Sequence, residues 1–186
     1  MRAFVAVFPP SEMQEALADA ARGLPVVGKV RLTPPSNIHL TLKFLGDVSQ
    51  EDLGRLAEAL EPVRERHEPF EASISGFGAF PSPRRARILW AGIGEGAAEL
   101  RALARDVEES LEPLGFERDD RTYVPHLTLG RARVRPVALE TVERVESPSP
   151  VPEFFVRHVE LMESVLGGAG AAYSTLGAYP LSEGRD

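Results

Sequence analysis

One tetrapeptide occurs twice in the 186-residue sequence, as His39-Leu40-Thr41-Leu42 and again as His126-Leu127-Thr128-Leu129. Each copy combines an imidazole with a hydroxyl group. An imidazole has an ordinary pKa of about 6.5, so near neutral pH it can donate or accept a proton. A pair of imidazoles can therefore protonate a leaving oxygen while deprotonating an attacking water. The repeated motif predicts in-line displacement at phosphorus by general acid–base catalysis.

The motif spacing favours a β-strand for each copy. Because side chains alternate between the two faces of a strand, His39, Thr41 and Lys43 are expected to share one face. The intervening residues, and Phe44 with them, are expected to point into the core. In the second copy the imidazole and the hydroxyl share a face in the same way. Two such strands facing across a groove would offer two imidazoles, and two hydroxyls that can bind the non-bridging oxygens of a phosphate.

A histidine on a strand is most often structural or simply exposed, so one copy of the motif would carry little weight. The repetition comes in matching contexts, after a turn signal at 34–37 in one case and after Pro125 in the other. It suggests an internal duplication in which each half supplies one wall of the site. The other two histidines receive no chemical role. His67 is interpreted as a solvated residue near a helix end, and His158 as part of a terminal strand.

The residue types present also limit the cofactors that the chain could use. There is no cysteine, which removes disulfides, thiol nucleophiles and thiolate zinc ligands. The four histidines show no HExxH spacing and form no tight cluster with carboxylates in the sequence. We therefore expect neither a metal nor another cofactor.

Charge and hydropathy restrict the partners. The net charge of −7 argues against broad nucleic-acid binding, which depends on neutralising many phosphates. Arginine clusters at 84–87 and 131–135 could form a local anion site that suits one phosphate or an RNA terminus. No apolar run approaches the roughly 20 residues that span a bilayer, and the start of the chain does not read as a signal peptide. A cytoplasmic protein without membrane attachment is expected.

Helical periodicity predicts three helices, which begin near Ser11, Ser49 and Gly96. A short fourth helix is predicted over 137–145. Ser11 and Gln14 have the spacing of a capping box, in which the glutamine side chain would reach back to the first turn.

Strand-like segments lie between these helices, at 3–8, 38–45, 70–77, 88–93, 125–130 and 154–161. Several alternate apolar and polar residues, which is typical of a half-exposed sheet. The varied connections do not fit a regular βαβ series, so we expect an α+β fold with helices covering one face of antiparallel sheets. The proline-rich stretch 147–152 is interpreted as a stiff loop or short linker.

The doubled motif and its flanks resemble the two-histidine (2H) phosphoesterase superfamily. The resemblance is closer to its RNA 2',3'-cyclic phosphodiesterases, historically called 2'-5' RNA ligases. It covers nearly the whole chain, with matching stretches at 2–10, 37–46, 76–81, 87–90, 123–131 and 161–173. Departures are minor: Leu32 stands where the family often has tryptophan, Gly130 where alanine is commoner, and 170–171 reads Gly-Ala instead of Gly-Pro.

The resemblance implies a bilobal α+β fold with two pseudo-symmetric antiparallel sheets, helices on the outer faces and a central cleft lined by both motifs. Residues 1–186 would form a single 2H phosphoesterase domain made of two intertwined lobes. By resemblance, His39 is the proton donor and His126 the proton acceptor, while Thr41 and Thr128 hold the phosphate.

Lys43 and Arg131 are further candidate contacts to the substrate. Strict alternation would place Arg131 on the core face of its strand. We therefore expect the strand to end or bulge at Gly130.

The activity implied is metal-independent hydrolysis of an RNA-terminal 2',3'-cyclic phosphate to a 2'-phosphate. RNA ends or nucleoside cyclic phosphates would be the substrates, and no obligate protein partner is evident. Two alternatives on the same scaffold remain open: a phosphodiesterase for another cyclic phosphate, and an RNA 2'-5' ligase, since ligation reverses hydrolysis at the same bond. A different class is a catalytically silent module that binds RNA ends. The intact histidines and threonines in both copies speak against that class.

Overall fold

The structure is a computed structural model that describes residues 1–140, 153–167 and 170–183. The α-helices within these ranges are α1 (Ser11–Arg22), α2 (Asp52–Glu65) and α3 (Ala97–Leu111). The strands are β1 (Arg2–Val7), β2 (Val26–Val27), β3 (Val30–Leu32), β4 (Leu40–Asp47), β5 (Phe70–Phe80), β6 (Ile88–Ile93), β7 (His126–Ala132), β8 (Ala138–Leu139), β9 (Glu153–Val156), β10 (His158–Gly167) and β11 (Gly170–Pro180). The three main predicted helices are confirmed.

Reciprocal hydrogen bonds of the capping-box type lie just ahead of α2 and not at α1. The Gln14 side chain does not return to the first turn of α1; its Nε2 donates to the Ile38 carbonyl at 3.0 Å, so the predicted box at Ser11 is wrong. Ahead of α2, the Ser49 amide and hydroxyl donate to Asp52 Oδ2, and the Asp52 amide donates to Ser49 Oγ. The contact made by Gln14 fixes the chain immediately before the first motif.

One antiparallel sheet holds both motifs at its centre. Its strand order is β11-β10-β1-β4-β7-β6-β5-β9, with β3 paired to β7 beside this path, and β2 and β8 form a separate two-stranded sheet. The central strands β4 and β7 meet at one residue pair, Leu40 with Leu127. The strands on either side of this pair are thus joined in one sheet, not separated into two as expected.

The helices cover one face of this sheet and cross between its halves. Helix α1 follows β1 but packs on β7, whereas α3 follows β6 and packs on β4. The core lies between helices and sheet and includes fully buried leucines of both motifs, among them Leu40 and Leu127. The α+β class with an antiparallel sheet is confirmed. The bilobal pseudo-symmetry and the single-domain organisation stay predictions.

Three other predicted elements differ from the structure. The segment predicted as one strand at 154–161 is divided at Arg157 into β9 and β10, and β11 was not predicted. The short fourth helix is wrong over its described part, because Ala138–Leu139 is a strand paired with β2. Residues 141–145 and the proline-rich stretch 147–152 lie outside the described residues. No helix in the described ranges is long and apolar enough to cross a membrane.

Candidate active site

The first motif contains a β-bulge that changes the faces of the residues after it. Two consecutive residues of β1 pair with Thr41 and Lys43, so Leu42 is the additional residue of the bulge. Before the bulge, His39 and Thr41 lie on the face of the sheet opposite the helices, which we call the open face. After the bulge the alternation is inverted.

Lys43 consequently points to the helix side, and the expectation that it shares a face with His39 is wrong. Its Nζ donates to Glu108 Oε1 at 3.2 Å and to the Glu117 carbonyl at 2.6 Å, and the residue is 7% exposed. Phe44, which was expected in the core, is 71% exposed and is the direct β1 partner of Phe4 on the open face. Lys43 therefore anchors β4 to α3 and is not available to a phosphate on the open face.

The second motif has a bulge at the matching position. Two consecutive residues of β6 pair with Thr128 and Gly130, so Leu129 is the additional residue. The bulge expected near Gly130 is thereby confirmed. It turns Arg131, which is exposed, to the open face, where its positive charge acts on both motif histidines. Arg131 and Phe44 thus occupy corresponding positions in the two copies.

The pairing of Leu40 with Leu127 brings the motifs side by side. Partner positions run in opposite directions in an antiparallel ladder, so the histidine of each copy lies towards the threonine of the other. The leucines point into the core, which leaves His39, Thr41, His126 and Thr128 together on the open face. These four predicted site residues are brought together; Arg131 joins them, and Lys43 does not.

Both imidazoles are fixed by the backbone in the same way. His39 Nδ1 lies 2.8 Å from the Asn37 carbonyl, and His126 Nδ1 lies 2.7 Å from the Val124 carbonyl. A carbonyl only accepts hydrogen bonds, so each Nδ1 carries a proton and each Nε2 of a neutral ring has a free lone pair. His39 Nε2 accepts a hydrogen bond from Thr41 Oγ1 at 3.0 Å. The reactive nitrogen of each ring is therefore Nε2.

Aromatic rings enclose His39 on several sides. The Phe4, Phe8 and Tyr173 ring centroids lie 5.0, 5.1 and 5.3 Å from its imidazole. Asn37 Nδ2 donates to the Ala171 carbonyl at 2.7 Å, which ties the start of β11 to the first motif. The rings of His126 and Phe80 form a T-shaped pair, with centroids 5.0 Å apart. His39 consequently has the drier surroundings.

The pKa values follow from this enclosure. Burial is the main cause that lowers the pKa of His39 from 6.5 to about 4, against the opposing effect of the Asn37 carbonyl. The pKa of His126 is also lowered, again mainly by burial. The Arg131 charge lowers both further. Both imidazoles are thus neutral near pH 7 in the free protein, and an anion beside Arg131 would favour their protonation.

Sequence reasoning did not identify the aromatic residues around His39. Phe4 and Phe8 lie in a run that is apolar at every position, so no alternation distinguishes the face they occupy. Tyr173 belongs to the unpredicted strand β11. Asn37 is the one neighbour with a usable signal, because it stands two residues before the histidine in the turn that precedes the strand.

Strand pairing places the backbones at the start of one arginine cluster and the end of the other side by side, and the anion site expected from the clusters stays a prediction. The Ala132 amide donates to the Arg87 carbonyl at 2.9 Å, so the start of β6 and the end of β7 are adjacent. Of the other histidines, His158 begins β10. The interpretation of His67 as simply solvated is wrong, since its Nε2 lies 2.8 Å from Asp106 Oδ2.

No group of three or more metal-ligating side chains occurs in the part of the chain that the structure describes. The independence from metals and cofactors stays a prediction. The arrangement itself offers two Nε2 atoms, two hydroxyls and one guanidinium on a common face, a set that suits acid–base chemistry at an anionic phosphorus centre.

An antiparallel sheet with paired histidine motifs at its centre defines a two-histidine class of site, and comparison with known proteins gives the family. The model of the 2'-5' RNA ligase superfamily matches residues 8–168. The chain belongs to the 2'-5' RNA ligase superfamily.

Similar proteins extend over nearly the whole chain. The RNA 2',3'-cyclic phosphodiesterase of Archaeoglobus fulgidus is 38% identical over 176 residues, which cover 95% of this chain and 98% of the relative. The protein of the same name from Methanothermobacter thermautotrophicus is 34% identical over 189 residues, which cover 97% of this chain and 99% of the relative.

Solved structures share the fold. The crystal structure of TT0787 of Thermus thermophilus superimposes with a TM-score of 0.79 at 29% identity, covering 97% of this chain and 98% of the other. The structure of E. coli LigT complexed with 3'-AMP gives a TM-score of 0.78 at 23% identity, with 98% of each chain covered. At that identity the second likeness concerns the fold alone.

Proposed function

We propose that this chain hydrolyses 2',3'-cyclic phosphates at RNA ends to 2'-phosphates, without a metal ion or another cofactor. The observation that carries the proposal is the placement of two identical motifs around the Leu40–Leu127 pair, with both imidazoles held through Nδ1 by backbone carbonyls. Relatives that are 38% and 34% identical over nearly the whole chain carry the name RNA 2',3'-cyclic phosphodiesterase. A cytoplasmic, single-domain enzyme without an obligate protein partner is part of the proposal.

The proposed reaction is one in-line displacement at phosphorus. His126 Nε2 takes a proton from water as the water oxygen bonds to phosphorus. The bond between phosphorus and the 3'-oxygen breaks, and His39 Nε2 gives its proton to that oxygen. The products are a 2'-phosphate and a 3'-hydroxyl, and one proton has passed from water to His126 while another has left His39. Exchange with solvent restores both rings.

The neighbouring groups would stabilise the charge that accumulates on the non-bridging oxygens. Thr41 and Thr128 donate hydroxyl hydrogen bonds, and the Arg131 guanidinium supplies the positive charge. Substrate binding would redirect the Thr41 hydroxyl, which in the free protein donates to His39 Nε2. The dianionic transition state would also raise the pKa of His39, which must be protonated to act as donor.

The proposal is tested with a short RNA that ends in a 2',3'-cyclic phosphate. We expect one product with a 2'-phosphate, identified by phosphorus NMR or by chromatography against 2'- and 3'-nucleotide standards, and undiminished turnover in EDTA. His126→Ala serves as the inactive control. Loss of turnover in EDTA that a divalent ion restores would refute the metal-independent mechanism, and a dominant 3'-phosphate would remove the basis for the donor and acceptor roles.

The same experiment separates the alternative activities. Adding an RNA with a free 5'-hydroxyl detects 2'-5' ligation, the activity after which the superfamily is named. Water is present at far higher concentration than any RNA end, so hydrolysis is the expected net direction. Binding of the cyclic end without any turnover would favour the non-catalytic module.

A further inference from the structure

A pocket lies next to the ring that stacks on His39. Its volume is about 420 Å³, and its lining combines aromatic, proline, cationic and acidic side chains, among them Phe8, Pro10, Phe155, Arg157, His158 and Glu160. This volume falls within the range of about 300–1,000 Å³ that is usual for small-molecule sites. None of these side chains takes part in the proposed reaction.

Phe8 connects the pocket to the first motif. The rings of Phe8 and His39 are stacked, with centroids 5.1 Å apart and an angle of 29° between their planes. Phe8 packs with Phe4 and Ala6 in a small cluster on the open face. Ala6 is the direct β10 partner of Glu160, so Glu160 also lies on the open face. The pocket is therefore on the same face as the two motifs, separated from the imidazole by one aromatic ring.

Phe155 adds a second aromatic ring to the pocket. It belongs to β9, the last strand in the sheet order, and only Arg157 separates β9 from β10. Its neighbours Phe154 and Val156 are buried in the core, whereas Phe155 points the other way and is 49% exposed. The Arg157 guanidinium lies over its ring, 4.8 Å from the centroid. The pocket thus has an accessible ring with a cation beside it.

The pocket chemistry suits a nucleoside with an attached phosphate. A flat base can stack on the accessible ring, and the guanidinium of Arg157 has N–H donors for a phosphate oxygen. The Glu160 carboxylate can accept N–H groups from the edge of a base, and its Oε2 accepts a hydrogen bond from Thr175 Oγ1 at 3.4 Å. A carboxylate would repel a bare inorganic anion, so the combination favours a ligand with an aromatic ring, donors and one anionic group.

We propose that this pocket is a second subsite, which binds the nucleoside on the 5' side of the terminal one when an RNA end occupies the active site. The inference rests on the proposed function, because that function places the cyclic phosphate beside His39. Since Phe8 alone separates the pocket from His39, the next nucleoside along the strand is the group that reaches it. The subsite makes an oligonucleotide end a better substrate than a mononucleotide.

The test compares three substrates: adenosine 2',3'-cyclic phosphate, the dinucleotide ApA with a 2',3'-cyclic phosphate, and the same dinucleotide without the base of its 5' residue. We expect the wild type to have a kcat/KM about 10-fold higher on the dinucleotide than on the mononucleotide, as for one stacked base. Most of this gain should disappear when the 5' base is missing. A wild type that does not distinguish the three substrates would overturn the proposal.

Variants of Phe155 assign the gain to the pocket. For Phe155→Ala we expect kcat/KM to fall about 10-fold on the complete dinucleotide and to change less than about twofold on the other two substrates. Phe155→Tyr retains the ring and should stay near the wild type, whereas Phe155→Leu, which keeps an apolar side chain without a ring, should behave like alanine. Equal effects on all three substrates, or none on the dinucleotide, would overturn the assignment.

Arg105 provides a matched control for Arg157. It is an exposed arginine on α3, on the helix side of the sheet, so Arg105→Gln and Arg157→Gln remove the same charge at different places. Arg157→Gln should lower kcat/KM on the dinucleotide about 3–10-fold, as for one hydrogen bond to a charged group, and Arg105→Gln should leave it unchanged. An equal loss in both variants, or none in Arg157→Gln, would overturn the role given to Arg157.

Equilibrium binding keeps this inference distinct from the proposed function. In calorimetry, the wild type should bind ApA with a 2'-phosphate about 10-fold more tightly than 2'-AMP, and Phe155→Ala should bind both about equally. If the wild type hydrolyses no cyclic substrate but this difference is found, the subsite stands and the proposed reaction fails. Equal wild-type affinities for the two ligands would overturn the subsite whatever the enzymatic result.

Discussion

Leu40 and Leu127 are direct partners in the antiparallel ladder between β4 and β7, and both side chains are fully buried. Each leucine stands between the histidine and the threonine of its own motif. The pair therefore fixes the distance between the two imidazoles from the core side of the sheet. Catalytic geometry and core packing depend here on the same two residues.

Truncating this pair should affect activity more than an equally buried residue elsewhere. We expect Leu127→Ala to destabilise the protein by about 2–5 kcal/mol, as for other buried leucines, and to lower kcat because the cavity lets the motifs shift. Leu60→Ala, in α2, is the control for stability alone, since Leu60 is 1% exposed. Denaturant unfolding and kcat are measured at a temperature where both variants are folded; equal kcat values would show that the pair only supports the core.

The threonine hydroxyls should matter for rate and not for folding. Valine keeps the shape of the side chain and removes the hydroxyl, so Thr41→Val and Thr128→Val should each lower kcat by up to about 10²–10³-fold, as for one oxyanion donor. Thr41→Ser and Thr128→Ser retain the hydroxyl and should recover most of the rate. Serine variants as slow as the valine variants would argue against hydrogen bonding to the phosphate.

Removing the Arg131 charge should change both binding and the histidine pKa values. The guanidinium lowers the pKa of His39 and of His126, so Arg131→Gln should raise both, and KM should rise because a phosphate ligand is lost. NMR titration of the imidazoles in the free protein measures the first effect and steady-state kinetics the second. Arg133→Gln is the control, an exposed arginine of the same cluster. Unchanged histidine titrations in Arg131→Gln would place the guanidinium away from the site.

Lys43 should behave as a structural residue. Its pairing with Glu108 is largely buried, with side-chain exposures of 6% and 22%. Lys43→Met should cost about 1–3 kcal/mol of stability, below the 3–5 kcal/mol of a fully buried pair because Glu108 is partly exposed. KM and kcat should stay near the wild-type values. A large rise in KM without loss of stability would instead support the phosphate-binding role first expected for Lys43.

The comparison of Lys43 with Arg131 explains how much of the site the sequence could predict. Alternation correctly places His39 with Thr41, because the strand is regular over those residues. It fails after Leu42, where the bulge adds one residue to the strand. No charged residue stands at a position of this strand that alternation assigns to the core, so nothing in the sequence indicates the bulge. In the second motif a charged Arg131 at a core-facing position made the bulge predictable, since an unpaired buried guanidinium would be too costly.

The fold shows the same division between local and long-range information. Helix α3 is predictable from periodicity, because its leucines repeat along one face. Strand β11 is not, since Gly170–Pro180 is rich in small and polar residues and forms a strand by pairing along β10. The Gln14 side chain likewise satisfies a capping pattern in sequence but bonds to Ile38, a partner that only the tertiary structure supplies.

The pH dependence of catalysis should differ between the free enzyme and its substrate complex. The proposed active form has His39 protonated and His126 neutral, so the pH–rate profile should be bell-shaped, with limbs that belong to the coupled pair. In the free protein burial lowers the pKa of His39 to about 4 and lowers that of His126 below 6.5. As pH rises above these values the donor loses its proton, and therefore kcat/KM, which reports the free enzyme, should reach its maximum below pH 6.5.

A bound cyclic phosphate adds negative charge beside both imidazoles and stabilises their protonated forms, so it raises both pKa values. The profile of kcat, which reports the complex, should consequently lie at higher pH than that of kcat/KM. Steady-state kinetics over the acid and neutral range on a nucleoside 2',3'-cyclic phosphate measures both profiles, and circular dichroism at each pH confirms that the protein stays folded. Coincident maxima at or above pH 7 would mean that burial does not depress the free-enzyme pKa values, and that the neutral state inferred for His39 is wrong.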